Sequence, residues 1–355
     1  KKILPWKRTF LSKNERKLSF IPFKKLSDEK KQISLINRMN LEAENTPNIF
    51  LFIIEILRSD YIDKKLSPHL FLFKEENIYL PHSFSNANAT HISWFSLFHS
   101  QFPFYWAERK KAKWQSGSLP LQILKKSGYK IHIYSSAHLT YYGMNELLFG
   151  KDMHLADSYQ FFPHFPPAPG YLSDKHLIEK LNRDLESKEL KKGNIFLIFL
   201  DATHFPYSAP KTENEKLNFS NFEIFKRPYR NSILFIDQLF DQFLKKLKKE
   251  NLYDPSVIIV TGDHGQEFFE EGRLFHLSHL SNMQTRVPLF YKFGDNKKEI
   301  IEKKITSHID IFPSILDYLF EKKFKFFKGE SIFRKKKWPY VLTARFNSSK
   351  APYEF

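Results

Sequence analysis

The chain has 355 residues, of which 56 are Lys or Arg and 39 are Asp or Glu, so its formal net charge at pH 7 is +17. It contains 11 glycines and no glycine-rich phosphate loop, which argues against ATP or a dinucleotide as cofactor. It has no cysteine and therefore no disulfide, and no stretch reaches the roughly 20 apolar residues that a membrane-spanning helix requires.

Residues 1–45 are dense in Lys and Arg, with aromatic residues between the charges and no strong periodicity. Lys1 is not preceded by a Met or a secretory signal pattern, so we expect a processed or excised portion of a longer protein. Two interpretations of the segment stay open. It is either a basic juxtamembrane linker that lies on a bilayer surface or an ordinary solvated linker.

The first predicted strand, residues 49–54, is an apolar run that is too short to cross a bilayer and suits a strand buried on both faces. Glu55 follows it directly. A carboxylate in this position is costly to bury unless it is paired or binds a metal. Arg58 is a candidate anion clamp, and a packing or surface role is equally open for it.

A polar loop of small residues then leads into a helix predicted at 91–99. Asn88, Thr90 or Ser93 could each cap this helix. A hydroxyl at a helix N-terminus is also where an attacking oxyanion and a phosphate are stabilised. Thr90 is therefore a candidate nucleophile, and Asn88 is a candidate substrate ligand.

Two later strands also end in polar clusters. The strand predicted at 195–200 is followed by DATHFPY, which includes His204, and the strand at 256–261 is followed by Asp263 and His264. Ligands of open α/β sheets gather beyond the carboxyl ends of such strands, so the last pair suggests a metal site. The alternative is an N-cap Asp beside a turn His.

The order of the elements predicts the fold class. Strand-like and helical runs alternate, which predicts an α/β fold with a central, mostly parallel sheet and helices on both faces. We expect a single large domain over residues 46–325, with residues 326–355 as a basic loop and C-terminal strand appended to it. The strands are predicted at 49–54, 130–135, 195–200, 256–261 and 287–292, and the helices at 91–99, 118–127, 173–190 and 222–249.

The order of these segments resembles the alkaline phosphatase and sulfatase superfamily over residues 47–320. The segments that carry the resemblance are NIFLFIIEILRSDYI, NATHIS, LDATHFPY, IIVTGDHGQEFFEEG, FHLSHLSNMQTRVPLFY and SHIDIFPSILDYL. Within it the chain is most similar to a membrane-anchored phosphotransferase branch of lipoteichoic acid synthases, phosphoethanolamine transferases and YejM-like envelope proteins. The resemblance implies an alkaline-phosphatase-like domain on the periplasmic or extracytoplasmic face of the inner membrane, anchored by transmembrane helices outside this chain.

The resemblance also implies one divalent metal ion, held by Glu55, Thr90, Asp263 and His264, with Thr90 as the nucleophile. This mixed set of oxygen and nitrogen ligands suits Mn, Mg or Zn and leaves Ca open. A metal that lowers the pKa of a coordinated hydroxyl would allow an otherwise weak threonine to attack phosphorus.

Two histidines and an arginine complete the implied site. By resemblance, His204 would contact the phosphoryl oxygens or protonate the leaving group. His276 stands ten residues before Arg286 and would bind phosphate or a second metal. A structural, hydrogen-bonded role stays open for both histidines, and Arg286 is either an anion clamp or a surface residue.

The net charge calls for an anionic partner. Basic surfaces attract nucleic acid, anionic lipid or phosphorylated glycans. No nucleic-acid motif accompanies the charge, and the Lys residues do not form one stripe. We therefore expect an anionic lipid or a lipid-linked glycan such as lipopolysaccharide, contact of the N-terminal segment with a membrane surface, and no nucleic acid.

Three functions are compatible with these features. The first is a metal-dependent phosphotransferase or phosphodiesterase that acts on a lipid-linked headgroup. The second is an inactive YejM-like regulator that binds lipopolysaccharide and works through protein partners. The third is a soluble phosphatase or sulfatase. Sulfate ester hydrolysis is disfavoured because a formylglycine needs a cysteine, or a serine in a Ser-x-Pro-x-Arg context, and neither is present around Thr90.

Overall fold

The structure is a computed structural model that describes residues 29–43, 45–107, 115–163, 169–210, 223–294, 305–335, 340–346 and 353–354. Most of the expected basic linker, residues 1–28, lies outside the described residues, as do residues 336–339 of the expected C-terminal loop. Residues 29–38 of the same linker form a helix, and Ile36 on this helix is buried in the core of the domain.

The strands and helices alternate along most of the described chain. The strands are β1 (Ile49–Ile54), β2 (Ile78–Tyr79), β3 (Ser83–Phe84), β4 (Lys130–Ser135), β5 (Ser158–Phe161), β6 (Asn194–Leu200), β7 (Val257–Gly262), β8 (Leu289–Lys292), β9 (Thr306–Ser307), β10 (Arg345–Phe346) and β11 (Tyr353–Glu354). The α-helices are α1 (Glu29–Arg38), α2 (Pro68–Glu76), α3 (Thr90–His99), α4 (Leu119–Lys126), α5 (Met144–Phe149), α6 (Gly170–Asp184), α7 (Glu223–Lys249), α8 (Asn282–Thr285) and α9 (Ile311–Phe320).

The central sheet has seven strands in the order β2-β8-β7-β1-β6-β4-β5. The five strands from β7 to β5 are mutually parallel, whereas β8 runs antiparallel to both β7 and β2. The predicted mostly parallel sheet is therefore confirmed. β1 lies at the centre of the sheet, which explains why all six of its residues are buried.

Successive side chains of β1 enter two separate cores, because side chains alternate between the faces of a strand. Ile49, Leu51 and Ile53 belong to the core packed under α1, α3, α4, α5 and α9. Phe50, Phe52 and Ile54 belong to the core packed under α2, α6 and α7. Helices on both faces, as predicted, leave only the ends of the strands accessible to a ligand.

The long helix α7 packs as the amphipathic pattern predicts. Ile233, Ile236, Leu239, Phe240 and Phe243 are buried in the second core, and the basic residues of its last turn lie on other faces. Among the described residues, none of the helices combines the length and apolar character needed to cross a bilayer.

Candidate functional site

The register of the central strands brings three acidic residues to one edge of the sheet. Ile54 at the end of β1 pairs with Leu200 of β6 on one side and with Gly262 of β7 on the other. The residue directly after each of these strands is acidic: Glu55 follows β1, Asp201 follows β6 and Asp263 follows β7. Parallel strands in register therefore deliver three carboxylates to the same end of the sheet, where α/β folds bind their ligands.

Glu55, Thr90, Asp263 and His264 converge at this edge. The Thr90 hydroxyl donates to Glu55 Oε1 at 3.1 Å and lies 3.2 Å from His264 Nε2. His264 Nε2 lies 3.5 Å from Glu55 Oε1 and 3.4 Å from Asp263 Oδ2. One ligand atom each from Glu55, Asp263 and His264 falls within 4.8 Å of the others, and all three residues are buried.

The two oxygens of Asp263 have different surroundings. Oδ1 accepts hydrogen bonds from the backbone N–H groups of Ile56 at 2.9 Å and His264 at 2.7 Å. Oδ2 is buried and has no hydrogen-bond partner among the described residues. An unpaired buried carboxylate oxygen is costly, so this atom requires a partner such as a cation.

Two glycines let the backbone close around Asp263 and His264. A Cβ on Gly262 would stand 2.3 Å from the carbonyl oxygen of Leu57, and a Cβ on Gly265 would stand 2.1 Å from that of Met283. Real Cβ atoms do not approach backbone oxygens so closely. The glycines of the Gly-Asp-His-Gly sequence are therefore required by the close packing of backbone around Asp263 and His264.

Burial shifts the pKa values of the acidic residues and the histidine of this site. Burial and then the nearby carboxylate of Asp263 raise the pKa of Glu55 well above its usual value. Desolvation also raises the pKa values of Asp201 and Asp263. Burial lowers the pKa of His264 to about 4, so its imidazole is neutral and available as a ligand.

These residues fit a divalent cation. The carboxylates would lose their mutual repulsion, the unpaired Asp263 oxygen would gain a partner, and a neutral imidazole supplies the nitrogen ligand. The donors comprise carboxylate oxygens, a hydroxyl and one imidazole, which suits Mn, Mg or Zn. Thr90 stands beside this set with its hydroxyl directed at Glu55.

The N-terminus of α3 positions Thr90, and a buried histidine ties this helix to β7. Ser93, one turn into α3, donates to the carbonyl oxygen of Asp263 at 2.5 Å and lies 3.0 Å from His308 Nδ1. His308 Nε2 lies 3.4 Å from Thr261 Oγ1. Burial lowers the pKa of His308 to about 4, so it joins these hydroxyls as a neutral ring.

His204 and His276 lie on the outer side of the metal-ligand set. The ring of His276 is 4.5 Å from that of His264 and 6.2 Å from that of His204, measured between centroids. Gln266 Oε1 lies 2.8 Å from His276 Nδ1 and orients the ring. His204 is exposed, and its Nδ1 lies 2.8 Å from the carbonyl oxygen of Phe205. The three histidines thus form a row from the buried ligands to solvent.

A second layer of polar groups was not predicted from the sequence. Asp174 on α6 accepts hydrogen bonds from Ser136 and from the backbone N–H groups of Asp201 and Ala202. In the same turn, Thr203 donates to the backbone carbonyl of Glu55. These bonds fix the turn that follows β6 against the end of β1. The signal available in the sequence was the polar segment DATHFPY. The partners of this segment, Asp174 on α6 and Ser136 directly after β4, are too distant along the chain to be identified from it.

Arg58 and Arg286, two of the three other candidate residues, have partners outside the cluster of Glu55, Thr90, Asp263 and His264. All five N–H groups of Arg58 are engaged by Asp60, Glu270, Met283 and the carbonyl oxygen of Gln266. Arg286 is exposed and donates to the carbonyl oxygen of Pro81 at 2.9 Å.

Asn88 is buried two residues before the nucleophile candidate. Its amide group donates to Gln284 Oε1 at 2.8 Å and to the carbonyl oxygen of His279 at 3.0 Å. Its Oδ1 is buried and has no hydrogen-bond partner among the described residues. Asn88 therefore fixes the loop before α3 and keeps one acceptor free.

Comparison with known proteins gives a consistent family. The family model described as Sulfatase matches residues 47–320. Lipoteichoic acid synthase 1 of Bacillus subtilis is 24% identical over 209 residues, which cover 56% of this chain and 32% of that protein. The uncharacterized sulfatase YdeN of Escherichia coli is 24% identical over 156 residues, covering 42% of this chain and 28% of that protein. The matched region thus spans about a third or less of these curated relatives.

Solved structures share the fold across most of the chain. The lipoteichoic acid synthase LtaP of Listeria monocytogenes superposes with a TM-score of 0.62 at 19% identity, covering 86% of this chain and 80% of that one. The C-terminal periplasmic domain of EcEptC of Escherichia coli, in complex with Zn, superposes with a TM-score of 0.67 at 13% identity, covering 87% and 94%. At these identities the likeness establishes the fold.

Proposed function

The chain belongs to the sulfatase family, and from this premise we propose that it is a metal-dependent phosphotransferase or phosphodiesterase that acts on a lipid-linked phosphate headgroup in the bacterial cell envelope. The observation that carries the proposal is the convergence of a hydroxyl, two carboxylates and a neutral imidazole at one sheet edge. The relatives named as lipoteichoic acid synthases support the transfer of a phosphorylated headgroup.

Glu55, Asp263 and His264 would hold the metal ion, which neutralises charge on a phosphate and lowers the pKa of a hydroxyl that it coordinates. Thr90 Oγ1 then attacks phosphorus. The Thr90 hydroxyl, which donates a hydrogen bond to Glu55 Oε1 at 3.1 Å, would give its proton to this carboxylate. The new Thr90 O–P bond forms as the bond from phosphorus to the leaving alcohol oxygen breaks.

His204 and His276 act on the outer side of the phosphate. His204 is exposed and would donate the proton that the departing alkoxide takes up. His276, held by Gln266, would bind a phosphoryl oxygen. In the second step an acceptor hydroxyl or water would give its proton to His204 as it attacks the phosphothreonine, the Thr90 O–P bond would break, and Thr90 would regain its proton from Glu55. Both steps are in-line displacements in which charge stabilisation supplies most of the catalysis.

The residue at the nucleophile position argues against sulfate ester hydrolysis. A threonine stands there, and the chain contains no cysteine from which a formylglycine could form. A threonine hydroxyl instead forms a phosphate ester that a second hydroxyl can resolve. The family name therefore describes the scaffold, and the nucleophile indicates phosphate chemistry.

Replacing the nucleophile tests the proposal. With Mn²⁺, Mg²⁺ or Zn²⁺ supplied in turn, wild type should turn over a p-nitrophenyl phosphodiester and a fluorescent phospholipid, and Thr90→Ala should lose about 10³-fold or more in kcat. Thr90→Ser, which keeps the hydroxyl, should retain measurable turnover. Intact-mass measurement should detect a phosphoryl adduct on wild type and none on Thr90→Ala.

The same assays address the inactive regulator. A wild type that binds no metal, shows no turnover and still binds lipid A would contradict the proposed enzyme and favour the regulator. The four groups of the site would then have to be explained as a structural remnant.

A further inference from the structure

Large apolar side chains are exposed on the outer side of the candidate site. Phe205 is 46% exposed and directly follows His204. Its ring lies 5.0 Å from that of Phe275, which directly precedes His276. The ring of Phe225 lies 5.6 Å from that of Phe275 and extends the contact to the start of α7. A row of phenylalanines thus runs beside the row of site histidines.

Two more exposed apolar side chains lie on the same segments of the chain. Ile224, next to Phe225, is 63% exposed, and Phe269, on the same loop as Phe275, is 42% exposed. We call Phe205, Phe225, Phe275, Ile224 and Phe269 the aromatic rim. Single exposed apolar residues are ordinary, but a contiguous group beside a site indicates a contact surface.

The loop that carries part of the rim has unusual backbone angles. Phe269, Phe275 and Leu277 have φ angles of 67°, 65° and 64°, in the left-handed region that non-glycine residues seldom adopt. Such conformations are strained in non-glycine residues and cluster at ligand-contacting segments. The exposed Phe269 is one of these three residues.

The charges around the rim do not oppose an anionic surface. Lys226, Arg227, Arg230 and Arg273 lie on the two segments that carry most of the rim, together with Glu223, Glu267, Glu270 and Glu271, and Glu267 is fully buried. Glu270 is already paired with Arg58 at 2.9 Å and with Lys226 at 3.3 Å. The whole chain carries a net charge of +17, which attracts it to anionic lipid.

We infer that the aromatic rim rests on the surface of a membrane that contains anionic phospholipid and holds the mouth of the site at the level of the lipid headgroups. The inference rests on the proposed function, because a lipid-linked phosphate reaches the site only if the site meets the interface. Amphipathic surfaces of this kind bind by burying apolar side chains at the headgroup boundary, with added attraction from basic residues.

The experiment compares two matched triple variants of the full chain. Ile224→Ser with Phe205→Ser and Phe269→Ser removes three exposed rim side chains. Leu35→Ser with Leu72→Ser and Tyr159→Ser removes three side chains that are 52%, 55% and 38% exposed on α1, α2 and β5. Co-sedimentation with vesicles of phosphatidylglycerol and phosphatidylcholine measures partitioning, and circular dichroism checks folding.

Wild type should bind the mixed vesicles, the rim variant should bind about tenfold more weakly, and the control variant should stay within about twofold of wild type. Equal binding by wild type and rim variant, equal losses in both triple variants, or no binding by wild type would each overturn the inference. If the rim triple variant folds poorly, Ile224→Ser alone, at the most exposed position, should still bind more weakly than Leu35→Ser.

Turnover of a water-soluble phosphodiester separates this inference from the proposed function. Loss of vesicle binding with soluble turnover retained supports the rim as a membrane contact. Vesicle binding that depends on the rim in a wild type without any turnover would refute the proposed enzyme and leave the contact surface standing.

Discussion

Two charged clusters begin only three residues apart in the chain, at Glu55 and at Arg58, and they are built in opposite ways. Around Glu55, burial raises the pKa values of Glu55 and Asp263, the charge of Asp263 raises that of Glu55 further, and one oxygen of Asp263 has no hydrogen-bond partner among the described residues. Around Arg58, all five N–H groups have acceptors. The first cluster has the groups that could hold a cation, whereas the charges of the second are paired within the protein. The cluster around Glu55 therefore differs from the cluster around Arg58 in that its buried carboxyl groups have no matching positive charge in the part of the chain that the structure describes.

The largest expected effect is on metal affinity. Asp263→Asn removes one negative charge from the unbalanced cluster and should weaken divalent-metal binding by about 100-fold or more. Asp60→Asn makes the same chemical change in the paired cluster and should leave the affinity within about twofold of wild type. Titration calorimetry with Mn²⁺, Mg²⁺ and Zn²⁺ measures both. Similar losses in the two variants would show that the clusters do not differ as described.

At the paired cluster, substitution should lower the stability of the fold instead of the affinity for metal. Arg58→Met leaves Glu270 without its main partner and should lower the free energy of unfolding by about 3 kcal/mol. Arg286→Met, a matched change at an exposed arginine, should cost less than about 0.5 kcal/mol. Urea denaturation in the presence of a chelator measures both. If Arg58→Met cost no more than Arg286→Met, the paired cluster would not be a structural element.

Asp174 is an intermediate case, because it is buried and accepts several hydrogen bonds, yet burial raises its pKa to about 6. The folded state therefore holds a proton that the unfolded state releases near pH 4. Stability from this group is greatest below that pH and falls as pH rises through 6, by about 3 kcal/mol in total. Unfolding measured between pH 4 and 7 should show this fall in wild type. Asp174→Asn should show a smaller fall, because the raised pKa values of Glu55, Asp201 and Asp263 remain, and identical pH profiles would contradict the assignment.

The smallest expected effect is a gain in stability at the unbalanced cluster. In chelated protein, Glu55→Gln removes a buried group whose ionisation is opposed by burial and by Asp263, and it should raise the free energy of unfolding by about 1 kcal/mol. Glu267→Gln is the matched control, because this buried carboxylate accepts from Ser281, Gln284 and two backbone N–H groups. It should lose stability instead. A loss in both variants would mean that Glu55 is already balanced.

Sequence patterns could locate the ends of the central strands. The apolar runs of β1, β6 and β7 are each followed by polar residues, and parallel strands must end at the same edge of a sheet. This rule, together with the family resemblance, predicts Glu55, Thr90, Asp263 and His264 as one set, and the structure brings these four residues together. Their roles as metal ligands and nucleophile stay predictions until metal binding and turnover are measured.

Long-range partners could not be predicted. The pairing of Arg58 with Glu270 joins residues 212 positions apart, and nothing local in either segment indicates it. The same holds for Asp174 and the turn after β6, and for His308, which links Ser93 on α3 to Thr261 on β7. Helix α2 was also missed, because Pro68–Glu76 lacks a clear apolar face and owes its place to packing against α7.

Glu55, Asp263 and His264 follow strands of the sheet, whereas Thr90 comes from the first residue of a separate helix. Backbone pairing between β1 and β7 fixes the former group, and the latter depends on the loop before α3. If the four residues act as proposed, a substitution at position 90 would change the nucleophile while the three strand-borne side chains keep their places.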